Sequence, residues 1–549
     1  MRYQTSSSST SIVLVLLVAS FFWQASSLHS DAGSWFQSTK GEIWPMPNSR
    51  VLKEDFYLLR PSNFDIRVNS ETCDIVTEAI ERYTRIILTE ARIARLVTEG
   101  QPRTSVRDDP HFRGTLEALS IRLLQPCEQN GDHWPHLYMN ESYMLEINET
   151  SPVAILWAEA VWGILRGLET FSQVLAPSGD GPTLKVKCQT IVDQPKLPHR
   201  GLLLDTSRHY LPLSDILLTL DAMSYNKLNV LHWHIVDDNS FPYESTRYPD
   251  LSAKGAYHPL MIYTPNDVQK VVNYARLRGI RVMPEFDTPG HTRSWGLAYP
   301  ELLTACYDSG KPNGKLGPMN PTKPALYEFV RNLFSEIVQV FPDQYIHLGG
   351  DEVPFECWAS NPEIIAYMRE HNMSRYESLE NEYIAKVLAI SKQLDANTIV
   401  WQEVFDNGVK LPTTTVVHVW KLPQWQKELE RAIMADHPVL LSSCWYLDHI
   451  AGGGDWTKFY DCDPFNFDIT PNRTHLMLGG ETCMWAEFVD KNNVHPRIWP
   501  RASAAAERLW SLNKQDNNVA AQRLEEHACR MNRRGIPAQP ANGPGFCVT

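Results

Sequence analysis

Two textures of apolar and polar residues divide this chain. From Asp74 to Thr98 apolar residues recur at helical spacing, with Ile75, Ala79, Tyr83 and Ile87 near one face, which predicts an amphipathic helix. Short apolar runs at Ser120–Leu124 and Tyr143–Ile147 predict strands, and Ala154–Leu175 reads as a second helix. Ala176-Pro-Ser-Gly-Asp-Gly-Pro is a turn, and two prolines make Asp193–His199 a linker. Residues 35–195 are therefore expected to form a small α+β domain.

Beyond Arg200 short apolar runs alternate with helix-length stretches, the pattern of βα units around a parallel sheet. Eight strands are expected: Gly201–Asp205, Leu228–Val236, Arg281–Phe286, Tyr345–Gly349, Thr398–Gln402, Val416–Trp420, Val439–Cys444 and Leu476–Gly480. Pro265–Arg278, Lys323–Phe341 and Leu379–Leu394 are among the helices between them. Eight units fit a closed (β/α)8 TIM barrel over 196–549. The rival, a doubly wound open sheet, lacks a GxGxxG turn after its first strand.

The ends of these strands carry chemistry: Asp205-Thr-Ser-Arg208, His232-Trp-His234 with Asp237 and Asp238, Glu285-Phe-Asp287, Asp351-Glu352, Trp401-Gln-Glu403, Trp420, Trp445-Tyr-Leu-Asp448, and Glu481 with Trp485-Ala-Glu487. A barrel enzyme gathers its reacting groups at this rim. Asp351 and Glu352 follow two glycines, so a substrate can approach the backbone. Two acids this close resist ionising together, and a raised carboxyl suits a general acid. A bare Asp-Glu pair is more often a solvated turn; its place at a strand end favours catalysis. Trp401, Trp420 and Trp485 suit the wall of a sugar pocket, and Trp445 suits it less; the ordinary use of such residues is core packing. Arg208 and Glu487 suit sugar hydroxyls or a structural ion pair. His232 and His234, with His291 and Asp237, leave a metal-dependent hydrolase open, although orienting the acids is the simpler use.

Composition narrows the partners. The 549 residues carry a net charge of −13, which excludes a coat for nucleic acid or anionic lipid. Arg2, the apolar run Ile12–Phe22 and Ala25-Ser-Ser27 read as a signal peptide over 1–27, and no later run is long enough to span a membrane. Sequons at Asn140, Asn148, Asn372 and Asn472 and the ten cysteines agree with a secretory route. Spacing alone does not pair the cysteines.

Several long motifs, in order, resemble glycoside hydrolase family 20, and in particular its animal lysosomal members. They are Gly41-Glu-Ile-Trp-Pro-Met-Pro47, Leu202-Leu-Leu-Asp-Thr-Ser-Arg-His-Tyr210, Leu231-His-Trp-His-Ile-Val-Asp-Asp238, Glu285-Phe-Asp-Thr-Pro-Gly-His291, His347-Leu-Gly-Gly-Asp-Glu352 and Cys483-Met-Trp-Ala-Glu487. The resemblance implies hydrolysis of terminal β-linked N-acetylhexosamines with retained configuration and attack by the substrate's own acetamide. It implies that Glu352 is the acid and base, that Asp351 orients the acetamide and that Tyr446 bonds its carbonyl oxygen. Trp401, Trp420 and Trp485 would enclose the sugar, Arg208, Asp237, Asp448 and Glu487 would hold its outer groups, and His234 and His291 would steady the acids. No metal or organic cofactor is implied.

The same resemblance implies bridges Cys73–Cys127, Cys306–Cys357 and Cys529–Cys547, leaving Cys188, Cys444, Cys462 and Cys483 free or locally buried. It implies a glycan substrate, a lysosomal or extracellular location and, by analogy, a homodimer. Asp448 resembles the type that prefers neutral sugars, whereas His449 fits neither type and attracts anions when protonated. A sugar-binding protein on a barrel that has lost turnover is the alternative; the full set of acids argues against it.

Overall fold

A computed structural model describes residues 42–69, 72–98, 106–127, 133–449, 454–545 and 547. The signal-peptide segment, the expected domain start at residue 35 and Gly41 of the first motif lie outside the described residues.

The N-terminal region is a mixed eight-stranded sheet. Its main path runs Asp65–Val68, Ala118–Leu123, Val153–Ala158, Tyr143–Ile147, Leu184–Asp193, Ser49–Leu59, Phe112–Leu116, with the short strand Ala176–Pro177 beside Leu184–Asp193. The expected helix Asp74–Thr98 forms over that range. The expected helix Ala154–Leu175 begins instead as a strand, Val153–Ala158, and becomes helical only over Val161–Gln173. Along the strand Ala154, Leu156 and Ala158 are buried while Trp157 is exposed, a period of two hidden by apolar residues on both faces. All residues of the helix are buried, including a polar stripe of Arg166, Glu169, Thr170 and Gln173.

Eight parallel strands close the second region into a barrel in the expected order. They are β1 (His199–Asp205), β2 (Val230–His234), β3 (Arg281–Glu285), β4 (Tyr345–His347), β5 (Asn397–Trp401), β6 (Val416–Val419), β7 (Val439–Leu441) and β8 (Met477–Met484), with β8 pairing back to β1. The last strand does not stop at Gly480. A Cβ on Gly479 would lie 1.8 Å from the His199 carbonyl oxygen, so this glycine marks a close approach between strands rather than an end. Glu481 therefore sits inside the barrel, opposite Gly201, and not at its rim.

Alternation sorts the barrel residues. Leu202, Leu204, Leu231, Val282, Val400, Val417 and Leu441 join the main core shared with the surrounding helices. Val230, Met283, Ile399, Val416, Leu440 and Leu478 form a separate apolar cluster that closes the bottom of the barrel. The N-terminal region packs against that closed end. Glu141 receives Arg166 at 2.8 Å and Arg200 at 2.5 Å, and Arg166 also donates to the carbonyls of Arg278 and Gly279. Both arginines are fully buried, and without Glu141 their charges would be uncompensated.

Candidate active site

Two strand positions above the apolar floor, the barrel fills with charge. Glu481 is bonded by His199 Nε2 at 2.6 Å and His232 Nδ1 at 2.7 Å. Glu285 takes His234 Nδ1 at 2.6 Å and the indole N–H of Trp401 at 2.7 Å, and His232 Nε2 lies 3.0 Å from it. Burial works against charge on His232, yet Glu481 and Glu285 push its pKa up to about 9; His234, buried as deeply, is pushed to about 10 by Glu285 and Asp237. The network therefore continues upward as ion pairs: His234 Nε2 is 2.7 Å from Asp237, which also meets Arg208 at 2.9 Å and His291 Nδ1 at 3.2 Å. Register explains the gathering, since His234 stands level with Asp205 on one side and Glu285 on the other.

Asp205 fixes two rim loops at once. It accepts from the Ser207 and Arg208 amides, from the Arg208 guanidinium at 3.2 Å and from the Ala486 amide at 3.0 Å. Arg208, its charge secured by Asp205 and Asp237 against its burial, lies 5.0 Å from the Trp485 ring. Arg208, Asp237, His291 and Glu487 share a cleft of about 530 Å³.

The acid pair follows β4 on a tight turn. Gly349, Gly350 and Glu352 all have positive φ, at 69°, 94° and 50°. Glycine is required at 349, where a Cβ would stand 1.7 Å from Asp287 Oδ1, and the Gly350 amide donates to that oxygen at 2.7 Å. Asp351 is 8% exposed and its Oδ1 has no partner among the described residues, while the Glu352 side chain is 60% exposed. His291 Nε2 faces both acids at 3.9 Å and Asp287 at 3.8 Å. The sequence points to Asp351 and Glu352 as the acids that oppose each other's ionisation. In the structure Asp287 lies beside Asp351, and burial and then the Asp351 charge push the Asp287 carboxyl well above its ordinary range. Burial opposes charge on His291, but Asp287 and Asp351 hold its pKa well above the usual value.

The aromatic residues divide as their strand positions suggest. Trp401, Trp485, Trp420 and Tyr446 cluster around Leu203 and Cys483 at the rim. Trp420 lies parallel to Tyr446 with ring centres 6.1 Å apart, and Trp401 stands 6.0 Å from Trp485. Trp445 is fully buried in the main core and donates to the Phe459 carbonyl. Glu403 anchors the Trp420 indole at 2.8 Å and Lys421 at 2.7 Å; burial and then Asp351 raise its pKa to about 7. Asp448 is half-buried, and burial raises its pKa; His449 is exposed, 5.7 Å from the Tyr446 ring. Glu285, Asp287 and Glu403 received no individual role from sequence, although their positions at strand ends were the available signal.

Three sets of described side chains bring ligand atoms within 4.8 Å of one another: His232, His347 and His418; Asp237, Asp238 and His291; Asp287, His291 and Asp351. None contains both His232 and His234, whose ring nitrogens face carboxylates. The His-x-His pair thus sits in an ion-pair network, and His232 also belongs to the first of these sets. Disulfides join Cys73–Cys127, Cys306–Cys357 and Cys529–Cys547, and a fourth, Cys444–Cys462, corrects the expectation that these two are unpaired. Cys188 and Cys483 are free and buried. Two bridges brace the site: Cys357 closely follows Glu352, and Cys444 stands just before Tyr446. Asn140, Asn372 and Asn472 are exposed, and Asn148 is half-buried.

Comparisons with known proteins agree with this fold. Residues 197–513 match the glycosyl hydrolase family 20 catalytic domain, and residues 43–174 match the beta-acetyl hexosaminidase like domain. The chain is 47% identical to the human beta-hexosaminidase subunit beta, covering 92% of this chain and 89% of that one. It is 45% identical to the rat subunit alpha, covering 92% and 94%. A chitobiase from Flavobacterium johnsoniae superposes with a TM-score of 0.75 at 26% identity, over 91% of this chain and 74% of that one. A beta-N-acetylhexosaminidase from Bacteroides fragilis shares the fold at TM-score 0.70 and 22% identity, over 92% and 99%. Motifs, barrel and site thus converge with a catalytic-domain match over more than half of the sequence, and the chain belongs to glycosyl hydrolase family 20, the β-N-acetylhexosaminidases.

Proposed function

We propose that the enzyme removes terminal, non-reducing β-linked N-acetylhexosamine by substrate-assisted, retaining hydrolysis. Glu352 donates its proton to the glycosidic oxygen as the acetamide carbonyl oxygen attacks the anomeric carbon and the aglycone leaves. Asp351 accepts from the acetamide N–H and stabilises the positive charge of the resulting oxazolinium, while the Tyr446 hydroxyl donates to the acetamide oxygen. Glu352, now a base, takes a proton from the water that opens the ring. Trp401, Trp420 and Trp485 exclude water and pack on the sugar, and Arg208, Asp237, Asp448 and Glu487 hold its outer hydroxyls. His234 and His291 keep the acids in place, and no step calls for a metal or cofactor.

The observation that carries this reading is Asp351 Oδ1, a buried acceptor with no partner among the described residues beside an exposed acid. A buried unpaired acceptor costs about 1–3 kcal/mol, which an arriving amide N–H offsets. Asp448 disfavours a sulfated sugar there. The reading includes a chain cleaved after residue 27, domains over 35–195 and 196–549, glycans on the four sequons, a lysosomal or extracellular location and pairing of two copies. Family membership, the leading apolar segment and the placement of the sequons support these. The test is hydrolysis of an aryl β-N-acetylglucosaminide by wild type and Glu352→Gln. Loss of about 10²–10⁴-fold in the variant is expected; an inert wild type or an unimpaired variant overturns the assignment.

A further inference from the structure

At the closed end of the barrel, away from the acids, lies a second cavity of about 280 Å³ between the helix Asp74–Thr98 and the ends of two barrel helices. Its walls carry Arg82, Arg85, Arg278, Arg533 and Arg534, with Tyr225, Tyr274 and one carboxylate, Asp221. Four of these arginines have acidic partners: Arg278 pairs with Asp221 at 2.7 Å, Arg533 with Glu90 at 3.1 Å, Arg534 with Glu169 at 2.9 Å and Arg85 with Glu81 at 3.8 Å. Arg82 is the exception. It is 8% exposed, pairs with no carboxylate among the described residues, and its one hydrogen-bond acceptor is the Leu277 carbonyl, at 3.5 Å.

Two donors remain unused on this wall, Arg82 Nε and Arg534 Nε, both buried without a hydrogen-bond partner. Burying a guanidinium without an anion is costly, and Arg82 is retained here beside other cations. After burial itself, Arg82 is the strongest influence lowering the pKa of Arg278. Tyr274 stacks on Arg278 at 3.3 Å and Tyr225 on Arg534 at 4.7 Å, so the planar forks are held in place. We propose that this cavity binds a phosphate or sulfate group, received by Arg82 with the free N–H groups of Arg278 and Arg534. The volume accommodates the oxyanion with part of a sugar ring attached. The site is separate from hydrolysis: it lies near the N-terminal ends of β2 and β3, about 17 Å of strand away from the reacting rim.

The test is calorimetric titration of the intact protein with sodium phosphate, sodium sulfate and N-acetylglucosamine 6-sulfate, each against sodium chloride at matched ionic strength. The 6-sulfate arm is run with the active site blocked by saturating N-acetylglucosamine. Binding of phosphate or sulfate but not chloride is expected, weakened about tenfold or more in Arg82→Gln, while aryl β-N-acetylglucosaminide hydrolysis is unchanged. Tighter binding of the sugar sulfate than of sulfate supports a sugar-borne ester, and equal binding supports the free anion. Should Arg82→Gln not fold, Arg85→Gln on the exposed side of the same helix serves, with a smaller weakening. Wild type that distinguishes neither anion from chloride, or binding untouched by both variants, overturns the site.

Discussion

Replacing Glu481 by Gln probes the charged layer that supports the site. The side chain is fully buried, and each carboxylate oxygen takes one imidazole N–H, at 2.6 and 2.7 Å. A glutamine of the same shape can accept from one imidazole, but it turns an N–H2 toward the other. One charge-assisted bond, about 1.5–3 kcal/mol, is lost, and His232 keeps only Glu285 as counter-charge. Breaking a buried charged pair from one side costs about 3–5 kcal/mol. At roughly 2 °C per kcal/mol for a large domain, the melting temperature should fall by roughly 6–10 °C near pH 6. The deficit also has a signed pH dependence. The pKa of His232 is raised from 6.5 to about 9 in the folded protein. Its contribution is therefore complete below pH 6.5 and is lost as pH rises through about 9. Melting of both proteins between pH 5.5 and 10 should show the gap narrowing at the alkaline end. A variant as stable as wild type at pH 6, or a gap independent of pH, refutes the assignment of His232 as a buried cation.

Three further substitutions test local geometry. Gly349→Ala places a Cβ 1.7 Å from Asp287 Oδ1 and 2.6 Å from its Cα, so the loop must move; hydrolysis should drop at least about 100-fold, read as kcat. Gly408→Ala, also at positive φ but with open space around it, should cost only about 1–2 kcal/mol in a denaturant melt. Cys462→Ser opens the bridge that restrains Cys444 and hence Tyr446; a loop of 18 residues predicts a loss of about 3 kcal/mol and a higher KM, checked by melting and steady-state kinetics.

Much of this architecture is legible in the chain. The eight barrel strands are short apolar runs, and the structure forms a strand at each, although the last runs past its expected end to Met484. The misreadings have physical causes. Val153–Ala158 is apolar on both faces, so its period of two is masked by the helix that follows. Gly479 and Gly480 look like a strand's end, yet Gly479 makes room for β1 and Gly480 for β7 and Trp445, and the ladder runs on to Met484. The pairing of Cys444 with Cys462 depends on a return of the chain that no local pattern records. Asp287 is the most instructive. In sequence it is one acid among several at strand ends; only the turn that presses Gly349 and Asp351 against it makes it the carboxyl driven toward its protonated form.

The most direct test of the central claim, that the substrate's acetamide is the nucleophile and Asp351 its partner, is the ratio of kcat/KM for an aryl β-N-acetylglucosaminide over the matching aryl β-glucoside, in wild type and Asp351→Asn. The account predicts a ratio of at least about 10³ in wild type, falling at least about tenfold in the variant while the fold and melting temperature are retained. Comparable cleavage of both sugars by wild type, or an Asp351→Asn enzyme that keeps the full preference, contradicts it.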